Sequence, residues 1–411
     1  MLYFDHNATT PVRPDVLDAV DRTQRDVFGN PSSLHACGRQ ARALLEESRE
    51  RLAAVLGIEP VELIFTSGGT ESNRLAFQGA LTAARASRRG TEGLHLLLAG
   101  IEHPSVLEVG AAYASKGLKV DLVLPGENGV VDVASFASRL GSETCFVSLQ
   151  HANNETGVVQ PVEALSSALS KWRQRQETMA FAFHVDAVQT LGKARLRPSD
   201  LGADLVSISS HKVGGPKGAG ALWVRSGAAF SSPLRGGPQE GRRRPGTENL
   251  PAIVGFALAA ELACGAELTR DARLVSRDDA AVAVEASTPS GGVSVHGLEA
   301  ALCQRIEGVT VHGAGAPRLA NTLNVAFRGV PAELLVIRLD QAGFAVSTGS
   351  ACASGSREPS HVLRAMGVEE AAAREAIRVS TGWSSRPEEL DRLAEAIAGA
   401  VQAVRDALAS C

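Results

Sequence analysis

Between residues 61 and 225, short continuously apolar runs alternate with segments whose apolar residues recur every three or four positions. The apolar runs predict seven strands, at 61–67, 94–100, 118–125, 145–150, 181–186, 204–210 and 220–225. Segments such as ESNRLAFQGALTAARA, between them, have the spacing of amphipathic helices. Strands without polar alternation are typical of parallel sheets buried on both faces, so the pattern predicts a large α/β domain with a mainly parallel seven-stranded sheet.

The C-terminal third has a different order of elements. NTLNVAFRG, FAVST and EAIRVST predict strands, and PAELLVIRLDQAG predicts a helix. The last helix follows Pro387, and its predicted apolar face consists of Leu390, Leu393, Ile397, Val401, Val404 and Leu408. We therefore expect a smaller α+β domain. The predicted boundaries are 1–14 for a segment joining the small domain, 15–258 for the large domain and 259–411 for the small one, with 265–300 as a surface loop or insertion.

Composition narrows the functional classes. A net charge of −4 gives no basis for binding nucleic acid or an anionic membrane, and the short basic run GRRRPG (241–246) by itself suggests a solvated loop. No apolar run is long enough to span a membrane, and the first residues lack the pattern of a signal peptide, so we expect a cytoplasmic protein. The six cysteines form no C-x-x-C pair and no zinc-site spacing; Cys145 is predicted to lie buried in a strand.

Polar residues follow several predicted strands. Gly68, Gly69 and Thr70 join a strand to a helix, which suits either a phosphate site at the helix N-terminus or a plain helix cap. Asp186 ends another strand, with Gln189 nearby, and it either serves as a helix cap or needs a cationic partner or dense hydrogen bonds, because a buried carboxylate is costly.

SSHKVGGPKGAG carries the most informative lysine. Lys212 lies directly after a buried strand, where a partly desolvated amine can form a Schiff base, whereas Lys217 lies in a turn that we expect at the surface. A lysine, a strand-end carboxylate and a glycine-rich phosphate site are the groups that pyridoxal phosphate requires. The sequence therefore predicts this cofactor at the carboxyl ends of the strands.

Three further positions have competing interpretations. His103 follows a strand and is either a structural histidine or a group that stacks on the cofactor and transfers protons. Asn153 and Asn154 are either turn residues or contacts to the site. Cys352 lies among serines and glycines in VSTGSACASGS (346–356), a composition that suits a flexible loop.

Ten motifs in this order resemble the NifS/IscS-type cysteine desulfurases, which belong to the class V aminotransferases of pyridoxal phosphate fold type I. They span residues 3 to 382 and read YFDHNATTPV, FGNPSSLH, FTSGGTES, EHPSV, ANNETGVVQP, HVDAVQTLGK, SSHKVGGPKGAG, GGPQEGRRRPGTEN, STGSACASGSREPSHVLRAMG and IRVSTG. The resemblance thus covers nearly the whole chain.

The resemblance implies roles around the cofactor ring. Lys212 would be the Schiff-base lysine, Asp186 would pair with the pyridine nitrogen and Gln189 would hydrogen-bond the ring oxygen. His103 would stack on the ring and take part in proton transfer. Asn154 would lie against cofactor and substrate.

The resemblance also implies contacts to the substrate and to the phosphate of the cofactor. Arg378 would bind the substrate's carboxylate, and Cys352 would be the catalytic cysteine on a loop of the small domain. The cofactor's phosphate would be held by Gly69, Thr70, Ser209, His211 and, from the second subunit of a homodimer, Thr247. GRRRPG would then belong to a segment that crosses the dimer interface.

The reaction implied is removal of sulfur from L-cysteine, which leaves L-alanine and a persulfide on the enzyme. The sulfur acceptor would be a protein such as an iron–sulfur scaffold. The residues of the motifs favour the nitrogen-fixation type over the housekeeping type. The sequence departs from the usual family residues at Ser210, Thr348 and Trp383. Two alternatives are another enzyme of the family, such as a selenocysteine lyase or aminotransferase, and a non-catalytic homologue that acts as a binding partner.

Overall fold

The structure is a computed structural model that describes residues 1–88, 93–175, 181–271, 292–349 and 358–410. Cys352 lies outside the described residues.

All seven predicted strands of the large domain are confirmed. They are β2 (Leu63–Thr66), β3 (His95–Ala99), β4 (Lys119–Val123), β5 (Thr144–Ser148), β6 (Ala182–Asp186), β7 (Leu205–Ser209) and β8 (Gly220–Val224). They form one sheet in the order β2-β8-β7-β6-β5-β3-β4, in which β8 alone runs antiparallel to its neighbours. The expected mainly parallel α/β sheet is thus present.

Helices cover both faces of this sheet. They are α1 (Pro14–Asp26), α2 (Ala36–Leu56), α3 (Gly69–Arg88), α4 (Pro104–Ala114), α5 (Val133–Ala137), α6 (Val162–Arg175) and α7 (Leu250–Asp271). Successive strand residues point to opposite faces, so Leu96 and Leu98 of β3 pack with α3 and α4, whereas Leu97 and Ala99 join the core that contains α1, α2, α6 and α7. Burial on both faces explains why the strands are apolar throughout.

The C-terminal part forms the expected α+β unit. An antiparallel sheet, in the order β12-β13-β10-β9, consists of β9 (Val309–Val311), β10 (Thr322–Phe327), β12 (Ser347–Thr348) and β13 (Ala376–Ser380). Helices α8 (His296–Arg305), α9 (Ala332–Gln341) and α12 (Pro387–Ala409) pack in the same core as this sheet, whereas α10 (His361–Ala365) and α11 (Glu370–Ala373) bury residues in the core of the large domain. The predicted strand FAVST is split, because Phe344–Ala345 (β11) pairs instead with β1 (Leu2–Tyr3).

That pairing places the N-terminal segment against the small unit, and Phe4 lies in its core. The assignment of residues 1–14 as a separate joining segment stays a prediction. The predicted boundary at 258/259 falls inside the continuous helix α7 and stays a prediction.

Three expectations need correction. Leu408 is 47% exposed although the pattern assigned it to the apolar face of α12; this helix is about 34 Å long, more than twice the length of α8 and α9, against which it packs. The basic run is not simply solvated, since Arg244 pairs with Glu71 at 2.9 Å and Arg243 donates to the Val61 carbonyl at 2.7 Å. Region 265–300 is helical at both ends rather than a loop, and residues 272–291 lie outside the described part.

Candidate active site

One cavity of about 320 Å3 opens at the carboxyl ends of the central strands. Nine of the residues predicted for the site line it, namely Gly69, Thr70, His103, Asn154, Asp186, Gln189, His211, Lys212 and Arg378. Ser209 lies beside it, Thr247 is exposed and does not line it, and Cys352 is outside the described residues. Side chains that are up to about 300 positions apart in the chain therefore lie around one cavity, and their roles stay predictions.

Lys212 is held at this cavity by the N-terminal segment. It ends a single helical turn after β7, and its Nζ donates to the backbone carbonyls of Ala8, at 2.8 Å, and Asn7. Thr10 binds the same turn through its backbone nitrogen, which donates to the His211 carbonyl at 2.9 Å. Lys217, the competing lysine, is exposed.

Asp186 accepts hydrogen bonds on both carboxylate oxygens, and a turn rather than the predicted helix follows it. Its Oδ1 accepts from the Val188 backbone nitrogen at 3.0 Å, and its Oδ2 accepts from Asn73 Nδ2 at 2.6 Å. The residue is buried, lines the cavity and has no ion pair within the described part of the chain. A buried carboxylate without a cation retains capacity for a charged donor inside the cavity.

The Gly68–Gly69 turn carries β2 into α3 at the cavity wall. A Cβ on Gly69 would come within 2.7 Å of Val188 Cγ2, which excludes a side chain at Gly69. A Cβ on Gly220 of the neighbouring strand β8 would come within 2.6 Å of Gly68 Cα, which excludes a side chain at Gly220. Ser209 Oγ, next to this turn, is buried and has no hydrogen-bond partner among the described residues. An unsatisfied hydroxyl beside the N-terminus of a 20-residue helix suits a phosphate.

His103 is both a cap and a wall of the cavity. Its Nδ1 accepts from the Ser105 backbone nitrogen at 3.1 Å at the start of α4, and the ring lines the cavity. Burial lowers the pKa of His103 below its usual value, and the nearby Lys212 lowers it further while Asp186 raises it. The imidazole is therefore neutral at pH 7, the form able to accept a proton.

The two asparagines have different roles. Asn153 Oδ1 accepts from the backbone nitrogens of Glu155 and Thr156 at 2.9 Å each, which is turn chemistry. Asn154 lines the cavity, and its backbone carbonyl accepts from Arg378 Nη1 at 2.9 Å.

Arg378 extends from β13 of the small unit into the cavity, and it is 1% exposed. Its Nη2 donates to Asp5 Oδ1 at 2.6 Å, while its buried Nε has no partner among the described residues. A buried guanidinium with donor capacity left can bind a carboxylate.

Several contacts were missed by sequence reasoning. Asp5, Asn7, Asn73 and Gln150 line the cavity or bind residues that do, and Lys193 lies behind Gln189. Asp5 and Asn7 lie within the motif YFDHNATTPV, and Lys193 lies at the end of HVDAVQTLGK, so the signal was the position of polar residues inside otherwise matched motifs.

Comparisons with known proteins agree with this geometry. Residues 2–281 and 293–393 match the aminotransferase class-V family. The cysteine desulfurase IscS of Dictyoglomus turgidum is 36% identical over 404 residues, which are 98% of this chain and 95% of that protein. A solved NifS-like protein has a TM-score of 0.81 at 33% identity, covering 98% of this chain and 99% of its own. A structure of SspA in complex with cysteine has a TM-score of 0.74 at 31% identity, covering 92% and 98%. The chain belongs to the aminotransferase class-V family.

Proposed function

We propose that this protein is a pyridoxal phosphate-dependent cysteine desulfurase that converts L-cysteine to L-alanine and retains the sulfur as a persulfide on Cys352. The observation that carries the proposal is the meeting of Lys212, Asp186 and Arg378 around one cavity. Relatives named as cysteine desulfurases, and a similar structure that contains cysteine, support the choice of substrate.

The cavity fits the cofactor at each of its groups. The unpartnered Ser209 hydroxyl and the Gly68–Gly69 turn suit the phosphate, and the unpaired Asp186 carboxylate suits a protonated pyridine nitrogen. Lys212 supplies the amine for covalent attachment, and Gln189 supplies a donor for the ring oxygen. When bound, pyridoxal phosphate supplies an electron sink for the pair released from the substrate's Cα–H bond.

Arg378 is the group that would bind the substrate's carboxylate. It is the guanidinium that lines the cavity, and a two-point contact with a carboxylate would orient the Cα–H bond. The proton leaving Cα would be taken by Lys212 Nζ, and the neutral imidazole of His103, which lines the same cavity, would accept and return a proton.

Sulfur transfer then requires the thiol of Cys352. Its thiolate forms an S–S bond with the substrate's sulfur while the substrate's Cβ–S bond breaks. The electron pair of that bond stays on the carbon skeleton, which takes up protons and leaves as alanine. Atoms balance without an external oxidant, because L-cysteine plus a thiol gives L-alanine plus a persulfide.

The assembly and setting of the enzyme form a further part of the proposal. A homodimer would bring Thr247 of a second copy to the phosphate, and the exposed Phe28 and Leu34 offer apolar surface for such a contact. None of the helices in the described ranges is long and apolar enough to cross a membrane. A cytoplasmic location, a protein sulfur acceptor such as an iron–sulfur scaffold, and a nitrogen-fixation role stay predictions.

The test is incubation of the purified protein with L-cysteine, with alanine and protein-bound persulfide measured together. We expect both products from the wild type and neither from Cys352→Ala. Cys37→Ala, which removes an exposed thiol, serves as the control and should retain both. Alanine formation that survives Cys352→Ala would exclude the persulfide mechanism and favour another reaction of the family.

Borohydride reduction tests the cofactor separately. We expect a yellow protein in which reduction leaves the cofactor fixed to Lys212, detected by mass spectrometry of peptides. A colourless protein with unmodified Lys212 after incubation with pyridoxal phosphate would favour the non-catalytic alternative.

A further inference from the structure

Lys193 is a second lysine behind the proposed cofactor site. Its Nζ donates to Gln189 Oε1 at 2.5 Å and to Asn7 Oδ1 at 2.9 Å. Gln189 Nε2 in turn donates to the Asn7 backbone carbonyl at 2.9 Å, and this carbonyl also accepts from Lys212 Nζ. The two lysines and Gln189 are therefore connected through one residue, Asn7.

These contacts settle the orientation of the Gln189 amide. A backbone carbonyl can only accept, so the Asn7 carbonyl faces the amide nitrogen. With its nitrogen on that carbonyl, the amide presents its oxygen to Lys193 Nζ, which donates to it. The Asn7 carbonyl uses one of the two N–H groups of Gln189, which leaves the other for a ligand in the 320 Å3 cavity that Asn7 and Gln189 line and Lys193 does not.

Lys193 lines instead a neighbouring cavity of about 40 Å3, and Lys212 lines both cavities. The titratable and charged groups that act on this region are His6 of the N-terminal segment, His211 and Lys212 after β7, and Arg378 of β13. Burial and the charges of Lys212 and Arg378 lower the pKa of Lys193 well below its usual value. No carboxylate pairs with Lys193 in the described part of the chain.

A lysine held among amide oxygens and other cations is costly unless a negative charge comes near it. The ring oxygen of pyridoxal phosphate is such a group, because it can ionise and because Gln189 is its expected donor. Lys193 would stabilise this oxygen indirectly, because it orients the Gln189 amide that donates to the oxygen.

We propose that Lys193 is a positioning residue that fixes Gln189 as a hydrogen-bond donor to the cofactor and stabilises the ionised ring oxygen. This inference rests on the proposed function only in taking pyridoxal phosphate as the ligand. It requires neither L-cysteine as substrate nor a persulfide on Cys352.

Lys193→Met tests the proposal without substrate. We expect the Kd for pyridoxal phosphate, measured by fluorescence titration, to rise about tenfold, because a charge-assisted contact is lost. We also expect the pH midpoint of the cofactor's visible absorption change to rise by about one pH unit, because loss of a nearby cation favours the protonated form. A structural role alone would not move this midpoint.

Two variants serve as controls. Lys217→Met removes an exposed lysine from the same loop as Lys212 and should leave both values unchanged. Lys193→Arg retains the positive charge and should keep the midpoint near that of the wild type. Circular dichroism and thermal melting of each apoprotein check folding, and Lys193→Gln replaces Lys193→Met if the latter does not fold, with the same expected rise.

An uncharged variant at position 193 that folds and keeps the wild-type Kd and midpoint would overturn the proposal. Absence of alanine from wild-type protein that binds the cofactor would overturn the proposed reaction and leave this inference standing. A wild-type protein that does not bind pyridoxal phosphate would overturn both.

Discussion

Asp5→Asn tests how Arg378 is shared between the protein and its substrate. Asp5 holds Nη2 of Arg378 at 2.6 Å, and the Asn154 carbonyl holds Nη1 at 2.9 Å. A substrate carboxylate that binds the same guanidinium comes close to Asp5, and the two negative charges repel each other. Asparagine keeps an oxygen acceptor of the same shape but removes this charge.

Asp5→Asn should strengthen substrate binding and weaken the stability of the apoprotein. Two carboxylates roughly 6 Å apart at an effective dielectric constant of about 40 repel by about 1.4 kcal/mol, so removal of the Asp5 charge should lower KM for L-cysteine about tenfold. The apoprotein loses a charge-assisted bond to a guanidinium that is 1% exposed, which we expect to lower its free energy of unfolding by about 1.5–3 kcal/mol.

The assay is steady-state alanine production, with KM and kcat determined separately, and urea unfolding of the apoprotein. We expect KM to fall while kcat changes little, because the carboxylate contact lies away from the breaking Cβ–S bond. Asp18→Asn, at an exposed carboxylate of α1, should change neither quantity. A KM that stays constant or rises in a destabilised Asp5→Asn protein would show that Arg378 and Asp5 do not compete for the substrate's carboxylate.

Two further predictions use buried carboxyl groups. Asp186→Asn keeps a partner for Asn73 but removes the negative charge proposed to pair with a protonated pyridine nitrogen, so the Kd for pyridoxal phosphate in fluorescence titration should rise about tenfold or more, and an unchanged Kd would contradict the assignment. Burial raises the pKa of Glu102 from 4.5 to about 8. The folded protein therefore holds an extra proton between these values, and its stability falls as the pH rises through them. Glu102→Gln should remove this loss and be more stable than the wild type at pH 9 by a few kcal/mol in urea unfolding, since each pH unit between the two pKa values corresponds to about 1.4 kcal/mol. Parallel pH profiles of the two proteins would contradict the assignment of a neutral Glu102.

The fold of the large domain was predictable because burial on both sheet faces makes each strand a continuous run of apolar residues, which is visible in the sequence. Seven apolar runs match seven strands, each to within two residues at its ends. The spacing of apolar residues predicted the wrong exposure where the length of the neighbouring helices decides which residues are covered. Leu408 has the correct spacing for the apolar face of α12 but lies in the last turn of a helix longer than its partners.

The pairing of strands from distant parts of the chain also could not be predicted from the sequence pattern. Ala345 and Ser347 belong to one predicted strand, yet they pair with the N-terminal strand β1 and with β13 respectively. Hydrogen bonding of so short a segment depends on which backbone lies beside it, and periodicity does not carry that information.

For the site, the sequence by itself determined the chemical groups and their order. A glycine is required at Gly69, after β2, because a Cβ there would come within 2.7 Å of Val188 Cγ2. A lysine and a carboxylate at the ends of buried strands are costly to desolvate, so their presence indicated a functional site. Only the tertiary structure decided how these groups are held. Asp5 orients Arg378 across 373 positions, and Lys193 reaches Gln189 and Asn7 together. Such contacts depend on distances between side chains from separate elements, which the order of residues along the chain does not specify.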